Sequence, residues 1–422
     1  MSCIHHTSCR VCGSKDLHLI LNLGEHPPSN SLLSYLDDPS LGPLFFNEEK
    51  FPLRLYFCDD CGLLQLLDIV DPELLFQKDY PYYTGKSSQT MQKHWKDLAE
   101  KLSKNLNSES VVVDIGGNDG TLLSYFTKTL HTINVEPSES HWEESSKKGI
   151  VTFRMFFSPS VARSIVNTFG KVDVITATNV FAHIDDLYSF MAGVKFMIKD
   201  TGVFVIEVPH ALSLVKGLEY DTIYHEHMSY WSIRPLQMLA NNCGFRVISL
   251  ERIPTHGGSL RVYLKKEDGW IFPKVLTKIY TEEYLSGMYD KDELVKFGVN
   301  VKKSLMDLEI LVEDLFIKGN KIVGYGCPAK ANTILNSIPH IAKFIEYITD
   351  TTPEKQGKNT PGTHIKIIAP DEFYKNPPDY AILFPWNYGK EIIEKEKEFL
   401  DSGGKFIIPL TCSIIEKCDI IE

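Results

Sequence analysis

Long apolar runs are missing from this chain. The longest, such as Val203 to Val208, break within a few residues, whereas a bilayer-spanning helix takes about 20 apolar residues, so no membrane segment is expected. The opening residues, MSCIHHTSCR, lack the apolar centre of a signal peptide, which predicts a cytoplasmic protein. Positive charge is also scarce: 44 Lys and Arg stand against 55 Asp and Glu, a net charge of −11. Nucleic acid is therefore a poor partner, although a small basic pocket still suits a diphosphate. An even set of cysteines is absent too. Nine cysteines without a secretory leader disfavour a disulfide framework and make metal ligation the better explanation of any regular spacing. Short internal repeats and low-complexity tracts are not visible.

What is present is a globular composition. With 422 residues, 43% hydrophobic and 23% charged, the chain has enough material for two to four domains with cores of their own.

The cysteines are spaced in pairs. Cys9 and Cys12 lie in CRVCGS, Cys58 and Cys61 in CDDCGL, and each pair with two intervening residues can present two thiolates to one tetrahedral ion. Gly13 and Gly62, one directly after each pair, suit the turn that brings backbone amides toward the sulfurs. Zinc is the natural occupant. Four cysteine ligands leave no open coordination position, so the ion is expected to hold structure and do no chemistry. Cys3, His5 and His6 are expected to form a disordered terminus, with substitute ligation of the ion as the alternative.

SVVVDIGGNDGTLLSYF reads as a β-branched strand ending at Asp114, a glycine-rich turn from Gly116 to Gly120 and the start of a helix. Small residues there let the backbone approach a ligand whose anionic part meets helix amides. The dinucleotide fingerprint is not matched, because Asn118 stands third and Thr121 sixth, so a plain NAD site is disfavoured. Some twenty residues on, TINVEPS places Glu136 at the end of a second strand, where a carboxylate accepts hydrogen bonds from ribose hydroxyls. S-adenosylmethionine is the leading ligand. VDVITATNV and GVFVIEVP read as further strands, each preceded by helical material, and FRVISLERI and SLRVYLKK flank the turn PTHGG. The alternation describes a doubly wound α/β sheet that ends in an antiparallel hairpin, the class I methyltransferase pattern.

DTIYHEHMSY, residues 221–230, holds two histidines, a glutamate and two tyrosines. A zincin is excluded, since its histidines stand four apart and His225 and His227 only two. As a helix the segment would put Tyr224 and His227 on one face; as a strand, Tyr224 and Glu226. The residue types suit proton abstraction, because imidazole titrates near neutrality and a phenol hydrogen-bonds a developing oxyanion. Following a strand that ends EVPH, the segment lies on the carboxyl side of the sheet, and His183 in NVFAHIDD is expected to face the same crevice.

In this order, CRVCGS, CDDCGLLQL, DYPYYTGKS, DIGGNDGTLL, NVFAHIDD, DTIYHEHMSY, HGGSLRVY, GYGCPAKANTILN and WNYGKEI resemble the nucleotide-sugar C-methyltransferases over nearly the whole chain. The resemblance implies methylation of the carbon next to the ketone of a nucleotide-linked 4-keto-deoxysugar. It implies catalytic roles for His227, Glu226, Tyr224 and His183, and cofactor contacts from Asp114, Gly116, Gly117, Asn118, Glu136 and Asn179. Substrate contacts are implied for Tyr80 or Tyr82, His225, His256, Ser259, Arg261 and Lys330. Lys366 in TPGTHIKI and Ala331 in CPAKAN depart from the family pattern, and both lie in a carboxyl-terminal segment that reads as a second Rossmann-type unit with a partial glycine loop at Gly324 and Gly326. The expected organisation is a zinc-binding domain over residues 1–84, a methyltransferase domain over 85–268, and a connecting helix with a Rossmann-like domain over 269–422, as a monomer or weak homodimer. Two rival readings are an O- or N-methyltransferase on a related sugar, and a zinc-ribbon interaction protein with a degenerate methyltransferase core.

Overall fold

The computed structural model describes residues 2–34, 48–76, 83–86, 89–126, 131–267 and 273–417. They fall into two compact units: the first comprises Met1–His18, Tyr56–Ser213 and Glu226–Lys291, the second Leu19–Leu55, Leu214–His225 and Asp292–Glu422.

The first unit is built on seven strands: β1 (Val111–Ile115), β2 (His131–Val135), β3 (Val151–Phe153), β4 (Val172–Thr178), β5 (Ile198–Pro209), β6 (Phe245–Ile253) and β7 (Ser259–Lys266), in the order β3-β2-β1-β4-β5-β7-β6. β1 to β5 pair in parallel and β7 runs antiparallel between β5 and β6. This is the expected doubly wound sheet with a terminal hairpin. β1 is buried at all five positions, as its unbroken β-branched run requires of a central parallel strand. The chain reverses direction beside β1, between β2 and β4, and such a switch point opens a crevice at the carboxyl ends of the strands.

Helices close the faces. Pro159–Phe169 starts on Ser158, whose hydroxyl accepts from the Val161 N–H, with proline at its first position; Leu187–Met197 starts on Asp186, whose carboxylate accepts from the Ser189 N–H. Both are N-caps that satisfy amides the helix leaves open. The buried core runs from the sheet (Val113, Ile133, Ile175, Phe204, Val262) to Trp231 and on to Cys9, Val11, Cys58 and Cys61. The thiols are thus part of the methyltransferase core.

Two local expectations are corrected. Cys3–His5 is a strand, paired antiparallel with Asp68–Val70, and His5 Nδ1 lies 2.8 Å from Asp68 Oδ1, so the amino-terminal residues are ordered by a partner more than sixty positions away. Residues 221–230 are neither helix nor strand as a whole: a 3₁₀ turn at Tyr220–Thr222 leads through irregular backbone to a two-residue strand, Ser229–Tyr230.

The second unit carries β8 (Ile322–Tyr325), β9 (Ile348–Thr349), β10 (Ile367–Ile368), β11 (Tyr380–Leu383), β12 (Lys405–Ile408) and β13 (Ser413–Ile415), ordered β10-β9-β8-β11-β12-β13. All pairs are parallel except β12 with β13. A helix over Lys291–Ile317 precedes it. The glycine loop after β8 is Rossmann-like, but the carboxylate at the end of β9, Asp350, accepts from the Cys327 N–H at 2.7 Å and the Thr352 N–H at 2.8 Å, with Lys355 Nζ at 3.5 Å. The group that would meet a ribose in a dinucleotide site is here tied to the protein's own loop.

Candidate active site and metal centre

At the carboxyl ends of β1, β2 and β4 the first unit holds a cavity of about 440 Å³, within the ~300–1,000 Å³ range of ligand pockets. Asp114, Gly116, Gly117, Asn118, Glu136 and Asn179 all line it, as does His183. The glycine turn fits tightly: Gly116 has φ +65°, and a Cβ on it would stand 2.4 Å from Val180, while a Cβ on Gly117 would stand 2.5 Å from Asn134 Oδ1 and 2.7 Å from Asp114 Oδ2. Only glycine leaves room for the neighbouring side chains.

Polar groups around the turn are interlocked. Glu136 accepts from the Asn118 N–H at 3.0 Å and the Ser138 N–H at 2.9 Å, with His141 Nδ1 at 3.8 Å. The Thr176 hydroxyl donates to Asp114 at 2.6 Å, yet burial, with Glu136 nearby, pushes the Asp114 carboxyl up to about 7. Asn118 Oδ1 and Asp119 Oδ2 in turn accept from the Thr84 and Gly85 amides at 3.0 and 2.8 Å, drawing residues 84–85 over the glycine loop. Two buried polar atoms on the wall, Asn179 Oδ1 and His183 Nε2, have no hydrogen-bond partner among the described residues, as expected of groups that wait for a ligand. Phe76, Phe156, Phe157, Phe190 and Trp95 supply the apolar wall.

His183 stands in a 3₁₀ turn after β4. Its ring stacks on Phe76 at 5.3 Å, interplanar angle 14°, and packs against the His227 ring at 5.1 Å. Burial alone pushes the His183 imidazole down to about 4, so it is neutral at pH 7. His227 touches the cavity wall through His183 and has Tyr230 at its edge, 6.4 Å between centroids. Glu226 is fully buried.

Other predicted residues lie elsewhere. Tyr224 is half-buried and His225 buried in the second unit, where Phe51 meets the His225 ring edge-on at 5.9 Å. Lys330, also in the second unit, places Nζ 4.4 Å from the Trp386 ring centroid, and the Trp386 Nε1–H donates to buried Asp221 at 2.6 Å. On β7, the Ser259 hydroxyl donates to the Thr255 carbonyl at 3.0 Å, and Arg261 Nε donates to Glu207 at 2.9 Å, with His94 Nε2 2.7 Å from the same carboxylate. Neither residue lines the cavity. His256 belongs to the turn Thr255–Gly257 that joins β6 to β7. Tyr80 and Tyr82 lie outside the described residues.

The four paired cysteines converge. Their sulfurs all lie within 4.8 Å of one another, with Cys9 to Cys61 at 3.5 Å and Cys12 to Cys58 at 3.4 Å. Hydrogen bonds from Cys58 and Cys61 pull the Cys9 thiol down to about 2, and the same closeness forces Cys61 far upward. With the sulfurs this close, ionising one opposes ionising the others, so four thiolates are stable together only around a cation, and four sulfurs at this spacing fit a tetrahedral zinc.

Comparison with known proteins accounts for nearly the whole chain. A C-methyltransferase C-terminal domain matches residues 254–411, a methyltransferase domain 88–250, and a zinc-binding domain 9–76. C-methyltransferase NovU of Streptomyces niveus is 31% identical over 407 residues, 95% of each chain. The chain belongs to the C-methyltransferase family. It is an S-adenosylmethionine-dependent enzyme with a zinc-binding four-cysteine cluster, and both rival readings, heteroatom transfer and a degenerate core, give way. Among solved structures, magnesium protoporphyrin IX methyltransferase from Synechocystis PCC 6803 with bound SAH is 12% identical, covering 43% of this chain and 89% of that one at a TM-score of 0.34. A methyltransferase from Clostridium acetobutylicum is 16% identical, covering 44% and 94%, also at 0.34. Both likenesses are too loose to carry a functional conclusion.

For this C-methyltransferase the cavity residues fit the cofactor: an acidic residue at the end of β2, a buried amide oxygen at Asn179 without a partner among the described residues, and a glycine turn without room for side chains. The sequence did not point to Thr84, Trp95, His141 or Asp185, which also line the cavity. Only Asp185 carried a signal, through its place two residues after His183.

Proposed function

We propose that this C-methyltransferase methylates the carbon next to the ketone of a nucleotide-linked 4-keto-deoxysugar, by way of an enolate. The observation that supports it is the His183–His227 pair: His183 lines the cavity that Asn118 and Glu136 also line, and the His227 ring packs against it at 5.1 Å. His227 is not itself among the residues that line the cavity and reaches its wall through His183.

Carbon beside a ketone is too weak an acid to ionise unaided at neutral pH, so the site has to take the proton and stabilise the enolate oxygen. His227, with Glu226 next to it in sequence, is the base. His183, neutral because it is buried, is the N–H donor to the ketone oxygen. A positioned base contributes about 10²- to 10⁴-fold and an oxyanion donor about 10²- to 10³-fold. S-adenosylmethionine, when bound, supplies an electrophilic methyl group. The aromatic wall keeps water from reprotonating the carbanion, and Glu136 and Asn179 hold the cofactor. The zinc, closed by four sulfurs, takes no part in bond making.

Deuterium wash-in tests this reading. With S-adenosylhomocysteine in place of the donor, a thymidine- or guanosine-diphosphate 4-keto-6-deoxysugar should exchange α-hydrogen with D₂O on the parent protein. His227→Asn should lose both exchange and turnover by at least about 10²-fold while binding S-adenosylhomocysteine within about twofold of the parent. Full activity of that variant removes His227 from the base role; absence of exchange with every keto sugar removes the enolate.

A further inference from the structure

The two histidines stand on loops, residues 181–186 and 226–230, that no long helix or strand stiffens. The loops are joined to each other by the Met228 N–H, which donates to the Ala182 carbonyl at 2.8 Å. The cysteine-rich segment grips both loops from outside the sheet. Ser229 and Tyr230 pair antiparallel with Gln65 and Leu64, four and three residues after Cys61, and the Leu66 N–H donates to the Met228 carbonyl at 2.9 Å. On the other loop, His6 Nε2 lies 3.0 Å from Asp185 Oδ2, and in the helix that follows, the Tyr188 hydroxyl donates to the Val11 carbonyl, inside the first cysteine pair, at 2.6 Å.

Arg10 connects the two grips. It stands between Cys9 and Cys12, and its side chain is 5% exposed. Its main-chain N–H and its Nε both donate to Gln65 Oε1 at 3.2 Å, Nη2 donates to the Leu66 carbonyl at 2.5 Å, and Nη2 lies 3.8 Å from Asp185 Oδ1. One guanidinium therefore holds the strand that pairs beside His227 and the carboxylate two residues after His183. Nε and Nη2, fixed in one plane, hold Gln65 and Leu66 while the charge on Nη2 faces Asp185, an arrangement a lysine ammonium cannot copy in full. Its backbone is fixed by the flanking cysteines, so the direction of the fork follows from how the four sulfurs are drawn together.

We propose that Arg10 is a positioning residue for methyl transfer: it transmits the geometry of the zinc-binding cysteines to the loops that carry His183 and His227 and so sets the alignment of the two imidazoles. This rests on the catalytic reading of that pair. The ion then acts on the rate through position, with no bond to substrate, and the magnitude follows from how steeply rate depends on placement, where about 1 Å is worth roughly 10²-fold.

The test uses the full-length zinc-loaded protein as Arg10→Met and Arg10→Lys. Measured for each are zinc per chain, affinity for S-adenosylhomocysteine, kcat and KM, and the ¹³Cε1 signals of labelled histidine, with His183 and His227 assigned from their own substitutions. Arg10→Met should keep zinc and cofactor affinity within about twofold, lose about 10- to 100-fold in kcat with little change in KM, and shift both imidazole signals while that of exposed His340 stays. Arg10→Lys, keeping the charge opposite Asp185, should recover part of kcat. Unchanged imidazole signals, unchanged kcat, or a kcat loss that merely tracks lost zinc overturns the proposal. If Arg10→Met does not fold, Asp185→Asn cuts the same contact at constant shape and should shift the His183 signal; no shift there overturns it equally. Shifted signals together with a fully active His227→Asn would instead fault the catalytic assignment and leave the positioning role intact.

Discussion

His183 and Asp114 are two buried titratable groups on one cavity wall whose pKa values burial moves in opposite directions, to about 4 and about 7. The unfolded chain protonates histidine near 6.5 and aspartate near 3.9. Stability contributed by His183 is therefore complete above about pH 6.5 and is lost as the pH falls toward 4, whereas that linked to Asp114 is complete below about pH 4 and is lost as the pH rises through 7. The two slopes partly cancel in the parent and emerge in variants. Melting temperatures of the parent minus those of His183→Phe should fall as the pH goes from about 7 to about 4.5, and the same difference for Asp114→Asn should rise over that range. A flat difference in either series means that the group titrates as it does in water. His183 was legible as a site residue from its place after a strand. Its neutrality was not, because desolvation depends on Phe76 and the second histidine, which meet it only in the folded chain.

Among the elements, the paired cysteines are the most local and were the easiest to read: spacing within each pair is set by one turn of backbone. Loss of one sulfur leaves three thiols packed in a core with no tetrahedral ion to hold them. Cys58→Ser should reduce zinc to well under one ion per chain by elemental analysis and lower the melting temperature by more than about 5 °C. A normal melting temperature with a reduced rate alone would show that the ion is not structural. The segment 221–230 is the opposite case. Helix and strand periodicity both failed there because its conformation is decided by Leu64–Leu66, a strand more than 150 positions earlier, and by backbone bonds to the His183 turn. No window of local sequence contains those partners. Arg10 carries no local signal for the same reason: its partners Gln65, Leu66 and Asp185 lie far from it in sequence.

At the scale of the molecule, the chain crosses between its two compact units five times, after His18, Leu55, Ser213, His225 and Lys291. Consecutive domains and compact units are thus different divisions of it. Among the described residues the cavity is lined by the first unit alone, so a ligand bound there adds stability to that unit by mass action, about 2.7 kcal/mol at a hundredfold excess over Kd. Hydrogen exchange should show S-adenosylhomocysteine slowing β1, β2 and β4 while β8 and β11 exchange as before. Equal slowing in both would indicate that the cofactor orders the whole chain as one cooperative body. Among the described residues no helix is long and apolar enough to cross a membrane, in line with the short apolar runs of the sequence.

Alternating β-branched strands and helices, a glycine turn that admits no Cβ, an acidic residue at the end of β2 and two CxxC pairs are properties of neighbouring positions, and hydrophobic periodicity and steric exclusion made them readable without any structure. The tertiary structure decided the rest: that the thiols join the methyltransferase core, that Arg261 and Ser259 turn to internal partners and not to the cavity, and that His183 and His227 meet. Those outcomes depend on contacts between residues tens to hundreds of positions apart, and the free energy of such contacts comes from burial and hydrogen-bond geometry that exist only once the chain has closed on itself.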